Sequence, residues 1–417
     1  MSNTILVLVP GTTGSTLVGP NQVYDSELPI WRASIGADLT SQRSEPEALA
    51  ALERTDLRPG VLMGMATQDK GYYPFAHYFA NRGFSVVNAQ YEGPGTPVPG
   101  WGLPPAKSLP ANLLVSFPYD WRQDCTASAT VLQQLLSAID GLYASAGYQL
   151  FLVGHSMGGL VCRAYLENVG LADSWRSSIK GLITLGTPHL GAPLALSAIM
   201  GQVEITPPWP LSGPAVDTMI HDFVDTSFSD SSYELLPPPV LEGASQPFFT
   251  QYIQYGGEQY NLLDAGLPSQ VAAAVSAAAS QSLPSGTTDE YAQNLRSAAT
   301  FFQALNYTGT VSGSTLPPYY CVVGQSSANP TVTGFLYESA PLSLQPQTST
   351  AGDEIVPEWS AAFTGRTVPV AGTYAATGVN HFSLPGSSDV QAQVAAWIGV
   401  EQQQARTVPE PAAAAAV

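Results

Sequence analysis

The sequence predicts an α/β chain: a doubly wound, mostly parallel sheet interrupted by a helical cap or lid. Three observations predict it. Short apolar runs, each closed by a turn, read as strands buried on both faces. Helical patterns separate them, which is the alternation that right-handed βαβ crossovers produce. The alternation fails after Gly191 and resumes near Tyr319, so the stretch between reads as an insertion.

In chain order, the first run is Ile5-Leu6-Val7-Leu8-Val9, ending at Pro10-Gly11. An irregular insertion covers about residues 19–70. Strand runs follow at Ser85 to Val87, Leu113 to Phe117, Tyr148 to Val153 and Gly181 to Leu185. Before the fourth run, Val131, Leu132, Leu135, Leu136, Ile139, Leu142 and Tyr143 recur at helical spacing and form one apolar face. Residues 1–191 are therefore the first part of the core.

Residues 192–317 read as the cap. They hold Pro207-Pro208-Trp209-Pro210, Pro237-Pro238-Pro239 and a helical stretch from Val271 to Ala279. Their aromatic residues Trp209, Phe248, Phe249, Tyr252 and Tyr255 suit either a cover over an acyl-binding cleft or the packing of the cap itself. The core resumes over 318–400, with runs at Tyr319 to Val323 and Thr367 to Val370. A closing helix from Ser388 to Ile398 turns Val390, Val394, Trp397 and Ile398 inward, and Asp389 in its first turn suits the helix dipole. Residues 401–417 form a loose tail rich in Pro and Ala.

Composition bounds the partners. The 417 residues carry 14 Lys and Arg against 32 Asp and Glu, a net charge of 14 − 32 = −18. Phosphate backbones repel such a chain, so nucleic acid is excluded as a partner. Cys125, Cys162 and Cys321 form no C-x-x-C pair and read as reduced core thiols. No basic segment precedes an apolar run at the start, and no run approaches the ~20 apolar residues of a membrane span. The expectation is a cytoplasmic protein without a transmembrane segment.

Gly154-His155-Ser156-Met157-Gly158 fits G-x-S-x-G, framed by a strand run before it and a helical pattern, Gly159 to Leu166, after it. Such a turn needs small residues at 154 and 158, and it lifts the hydroxyl of Ser156 above the sheet edge. A serine hydroxyl is a poor nucleophile without an adjacent base. Of the five histidines, His155 adjoins the nucleophile and points elsewhere, and His77 reads as a packed helix residue. His189 reads as a turn residue and His221 lies in the cap. His381 follows the last strand run and precedes the last helix. In an α/β-hydrolase the triad runs Ser, acid, His with the base on that loop, so His381 fits best.

The acid belongs between Ser156 and His381. Gly352-Asp353-Glu354-Ile355-Val356-Pro357 offers Asp353, 28 residues before His381 (381 − 353), with Glu354 as the rival. An oxyanion hole needs one backbone N–H from Met157 and a second from the loop after an early strand, such as the glycine-rich turn Val9 to Gly14. No Gly-Lys-Ser/Thr follows that turn, so it is not a P-loop.

Five blocks resemble the lecithin:cholesterol acyltransferase-like branch of the α/β-hydrolases, a branch that includes lysosomal phospholipase A2 and phospholipid:diacylglycerol acyltransferases. They are Val9-Pro10-Gly11, Pro118-Tyr119-Asp120-Trp121-Arg122, the 154–158 elbow, Gly352-Asp353 with Val356-Pro357, and His381. Leu235-Leu236-Pro237 adds a weaker likeness. The resemblance implies a triad of Ser156, Asp353 and His381, with the N–H groups of Thr12 and Met157 as the oxyanion hole. It implies acyl chains bound under a cap and cleaved or transferred from lipid esters. Asp120 and Arg122 read as a structural ion pair or an interior network, against a substrate-lining role. The expected function is a serine hydrolase acting on lipid-like esters through an acyl-enzyme. The alternative is an O-acyltransferase delivering the acyl group to an alcohol; a silent hydrolase-fold binding protein is the third reading. No motif implies a cofactor or a catalytic metal, and the expected partner is a lipid or other ester substrate.

Overall fold

The computed structural model describes residues 3–19, 54–66, 68, 70–200, 230–239, 250–281, 283, 287–305, 316–339, 342–364 and 370–400. Most of the predicted 19–70 insertion, Pro207 to Pro210 with Trp209, His221, Phe248, Phe249 and the 401–417 tail lie outside the described residues.

Seven strands form the main sheet: β1 Asn3–Val9, β2 Ser85–Asn88, β3 Asn112–Ser116, β4 Tyr148–His155, β5 Ile179–Leu185, β6 Tyr319–Gln325 and β7 Val370–Thr377. They lie in the order β7-β6-β5-β4-β1-β3-β2, and every pair is parallel. From β1 the chain passes to the edge strand β2 and returns to β3 beside β1, then crosses over and builds outward from β4 to the other side. The switch in direction falls between β1 and β4, and the crevice beyond the carboxyl ends of such a pair is where open α/β sheets place their ligands. With helices covering both faces, this is the α/β-hydrolase fold.

Strand β1 shows why the central run is continuously apolar. Ile5, Val7 and Val9 enter the core shared with the Cys125–Tyr143 helix, while Leu6 and Leu8 enter the opposite core with Tyr72, Phe75, Phe79, Val390 and Val394. Successive strand residues face opposite sides, so a strand covered on both faces has no polar register. The Cys125–Tyr143 helix starts at Asp124, whose carboxylate accepts the Ala127 N–H at 2.7 Å, and it buries Leu132, Leu135, Leu136 and Ile139 along one face.

Two differences from the predicted elements have physical causes. The last strand lies at 370–377, beyond the predicted Thr367 to Val370 run. It is a sheet edge whose residues alternate between exposed and half-buried for most of its length, so it needs no apolar run. A second, four-stranded sheet pairs the Ile253–Tyr255 and Glu258–Tyr260 hairpin with Thr331–Ser339 and Leu342–Ser349. Its strands are short or polar and gave no periodic signal. Helices Ser269–Gln281 and Thr288–Ala304 lie between its two hairpins in the sequence. Among the described residues no helix is long and apolar enough to cross a membrane.

Candidate active site

Ser156 sits at the end of β4, on the turn into the Met157–Ala164 helix, with φ 52° and ψ −129°. A serine rarely occupies this region, and a conformation of this kind costs on the order of 1–3 kcal/mol. The fold holds it there: the Ser156 N–H donates to the Leu185 carbonyl at 2.9 Å, and its own carbonyl accepts the Gly159 N–H at 3.0 Å. Gly158 is required by close approach, because a Cβ there would collide with the Val9 and Pro10 carbonyl oxygens. The elbow therefore packs directly against the end of β1. Gly11 lies over the serine, where an added Cβ would come within 2.7 Å of Ser156 Cβ.

Asp353 and His381 are joined. His381 Nδ1 lies 2.7 Å from Asp353 Oδ2, and the His381 N–H donates to the Asp353 carbonyl at 2.9 Å. Both residues are buried. Asp353 Oδ1 accepts the Val356 N–H at 2.7 Å and the Ile355 N–H at 3.1 Å, so each carboxylate oxygen has a donor and the group stays aimed at the ring. Gly186, at φ 58° just after β5, makes room for the pair; a Cβ there would come within 2.7 Å of Asp353 Oδ2 and 3.1 Å of His381 Nδ1. Glu354 is held elsewhere. At φ 81°, its carboxylate accepts from Ser326 Oγ and from Asn329 Nδ2, and its N–H donates to Thr331 Oγ1.

Thr12 and Met157 lie side by side, with the Thr12 hydroxyl 3.4 Å from Met157 Sδ. Among the described residues neither backbone N–H donates to a protein acceptor. The loop that carries Thr12 is tied down from several directions. The Tyr119 hydroxyl donates to the Pro10 carbonyl at 3.0 Å, Trp121 Nε1 donates to the Ser15 carbonyl at 3.1 Å, and the Tyr119 N–H donates to Ser15 Oγ at 3.1 Å. The Tyr-Asp-Trp-Arg block is thus the buttress of this loop. Its charged members form a two-pronged ion pair, Arg122 Nε and Nη2 on the Asp120 carboxylate at 2.8 and 2.7 Å, and Arg122 Nη1 also donates to the Arg54 carbonyl.

The remaining described histidines fall in different places. His77 is exposed on the outside of the Tyr73–Ala80 helix, stacked on Tyr73, and not packed as predicted. His189 is buried in the loop after β5, where Nε2 lies 3.0 Å from Thr184 Oγ1 and its ring stacks on Phe363. Beneath the elbow the fully buried Arg163 binds the Glu167 carboxylate at 2.8 and 3.1 Å and donates to the His189 carbonyl; Tyr319 completes the cluster on Glu167 at 2.7 Å. Burial, then the Arg163 charge, push His189 well below the usual imidazole range. His155 belongs to the site after all. It is buried between Tyr72 and the main chain of His381, its ring centroid 5.0 Å from the His381 ring, and burial followed by that neighbouring ring pushes it down to about 3. Nothing local in the sequence marks Tyr72, Gly186 or this role for His155.

The lecithin:cholesterol acyltransferase family model matches residues 109–253. Over that stretch the chain is similar to the lecithin:cholesterol acyltransferase family. The matched stretch holds the Tyr-Asp-Trp-Arg block and the elbow and runs into residues 192–253, where sequence alone offered only Leu235-Leu236-Pro237; Asp353 and His381 lie beyond it. Phosphatidylcholine-sterol acyltransferase of Mus musculus is 28% identical over 128 residues, covering 26% of this chain and 29% of that protein. The Rattus norvegicus protein of the same name is 30% identical over 128 residues with the same coverage. The chain thus matches less than a third of the length of these relatives. In the Tle4–Tli4 complex, a chain of known crystal structure superposes with a TM-score of 0.59 at 14% identity, covering 96% of this chain and 99% of that one, a likeness of fold.

Proposed function

We propose that the chain is a serine hydrolase that cleaves carboxylic esters of lipid-like substrates through an acyl-enzyme. The observation that carries this reading is the buried Asp353–His381 pair brought to the same sheet end as the strained Ser156, beside two unspent backbone donors. Because the Asp353 carboxylate only accepts, His381 carries its proton on Nδ1, which leaves Nε2 free as the base. In the first step Ser156 Oγ attacks the ester carbonyl carbon and its proton passes to His381 Nε2. The carbonyl oxygen becomes an oxyanion facing the Thr12 and Met157 N–H groups. Collapse of this adduct breaks the ester C–O bond, and the leaving alcohol takes the proton from Nε2. Water then attacks the acyl-enzyme by the same route in reverse and releases the acid and free Ser156. Asp353 holds the ring and stabilises the imidazolium without being protonated.

In the described geometry Ser156 Oγ and the His381 ring share no hydrogen bond; catalytic bonds of this kind often tighten only with substrate in place. A second reading has its own support: the rodent relatives are named for acyl transfer between phosphatidylcholine and a sterol. An alcohol would replace water in the second step. The test is a labelled long-chain ester supplied with rising long-chain alcohol, both products being counted. Free fatty acid in excess is expected, and transferred ester in excess at modest alcohol concentration makes the chain an acyltransferase. Ser156→Ala is expected to lose about 10⁶-fold in turnover either way.

A further inference from the structure

We propose that Tyr72 and His155 are positioning residues that lock the loop carrying the Thr12 N–H to the main chain of His381. The proposal rests on the serine-hydrolase reading above. Three hydrogen bonds carry it, linking segments 61, 83 and 226 residues apart in the sequence. The Gly11 N–H donates to the Tyr72 hydroxyl at 2.9 Å, Tyr72 Oη lies 2.7 Å from His155 Nδ1, and His155 Nε2 lies 3.0 Å from the His381 carbonyl oxygen.

The chain of bonds has one polarity. A carbonyl only accepts, so His155 Nε2 carries the ring proton. Buried beside His381, the ring is neutral, so Nδ1 must accept, and Tyr72 supplies the proton. The Tyr72 oxygen then presents a lone pair to the Gly11 N–H. Each link requires the one before it, so the loop, the elbow and the histidine loop are ordered together. All three bonds are buried, and Gly14 leaves space for the hydroxyl, since a Cβ there would come within 2.8 Å of it. Neither side chain exchanges a proton with the ester. Their effect is to hold the Thr12 donor and the His381 ring at one fixed separation across the nucleophile.

The test uses the full chain with Tyr72→Phe, which removes one oxygen and leaves the ring in place. Four quantities are measured: kcat and KM on a p-nitrophenyl ester, the rate of fluorophosphonate labelling, and the affinity for a long-chain alkyl boronic acid, whose tetrahedral adduct needs the oxyanion donors. Circular dichroism checks the fold. The expected result is a loss of about 10²-fold in kcat, the scale of a small misplacement of reacting groups, with KM little changed. Labelling and boronate affinity fall in step. Wild-type kcat in folded Tyr72→Phe overturns the proposal, as does a change confined to thermal stability. If Tyr72→Phe does not fold, the same readouts on His155→Gln decide, because it keeps an amide donor for the His381 carbonyl but breaks the ordered link to Tyr72. Ser156→Ala separates the two levels: if it still turns over ester, the underlying reading fails. If it is inert while Tyr72→Phe is unimpaired, only the positioning role fails.

Discussion

The elbow and the Pro10–Ser15 loop meet at the end of β1, yet they are held in place by different means. The elbow is largely local: a strand, a glycine-flanked turn and a helix N-terminus within a dozen residues fix the Ser156 backbone, with the Leu185 carbonyl borrowed from the next strand and Gly158 packed on the end of β1. The loop from Pro10 to Ser15 is held by side chains of Tyr72, Tyr119 and Trp121 and by the Ser156 contact with Gly11. The position of Ser156 is thus set mainly by a short segment, whereas the position of the Thr12 N–H is a property of the assembled fold. Changes that leave the elbow intact are expected to damage catalysis through the loop and the histidine.

The largest effect short of removing the nucleophile is expected from Asp353→Asn, which reverses the tautomer preference of His381 and costs on the order of 10⁴-fold in kcat. Glu354→Gln, one residue along, is expected to keep kcat within about tenfold while costing about 1–2 kcal/mol of stability through its Ser326 and Asn329 bonds. A paired kinetic and denaturation experiment checks both, and the reverse ranking transfers the acid role to Glu354. Below the elbow, Glu167→Gln strands the Arg163 charge in a dry interior. The expected cost is about 3–5 kcal/mol in urea unfolding, with kcat preserved in whatever remains folded.

A smaller effect comes from His155. Its pKa is depressed from 6.5 to about 3, so the native ring stays neutral while the unfolded one takes up a proton. Its contribution is fully present above pH 6.5 and is lost as pH falls toward the folded value, at about 1.4 kcal/mol per pH unit. His189 titrates with the same sign. Urea titrations from pH 6.5 down to about pH 5, above most carboxylates, are expected to show a shallower loss of stability in His155→Gln by one proton's worth of slope. An unchanged slope places the His155 proton elsewhere.

What was legible in the sequence follows the same division. The Ser156 elbow, β1, β4 and the Cys125–Tyr143 helix are written in contiguous residues, and His381 was reachable by elimination and chain order. Local pattern favours Asp353 with Glu354 as a rival, because neighbours share their surroundings in sequence; the positive φ of Glu354 and its bonds to Ser326 and Asn329 separate the two in space. The role of His155 leaves no local mark because its partners stand 83 and 226 residues distant. The second sheet was missed because polar, short edge strands such as Glu258–Tyr260 need no apolar alternation.

The central claim is that Ser156 is the nucleophile. Its most direct test is a fluorophosphonate probe on the full chain and on Ser156→Ala, read by intact mass and peptide mapping. The account predicts a single adduct on Ser156 in the wild type and none in the variant. An adduct on another residue, or labelling that survives Ser156→Ala, contradicts it.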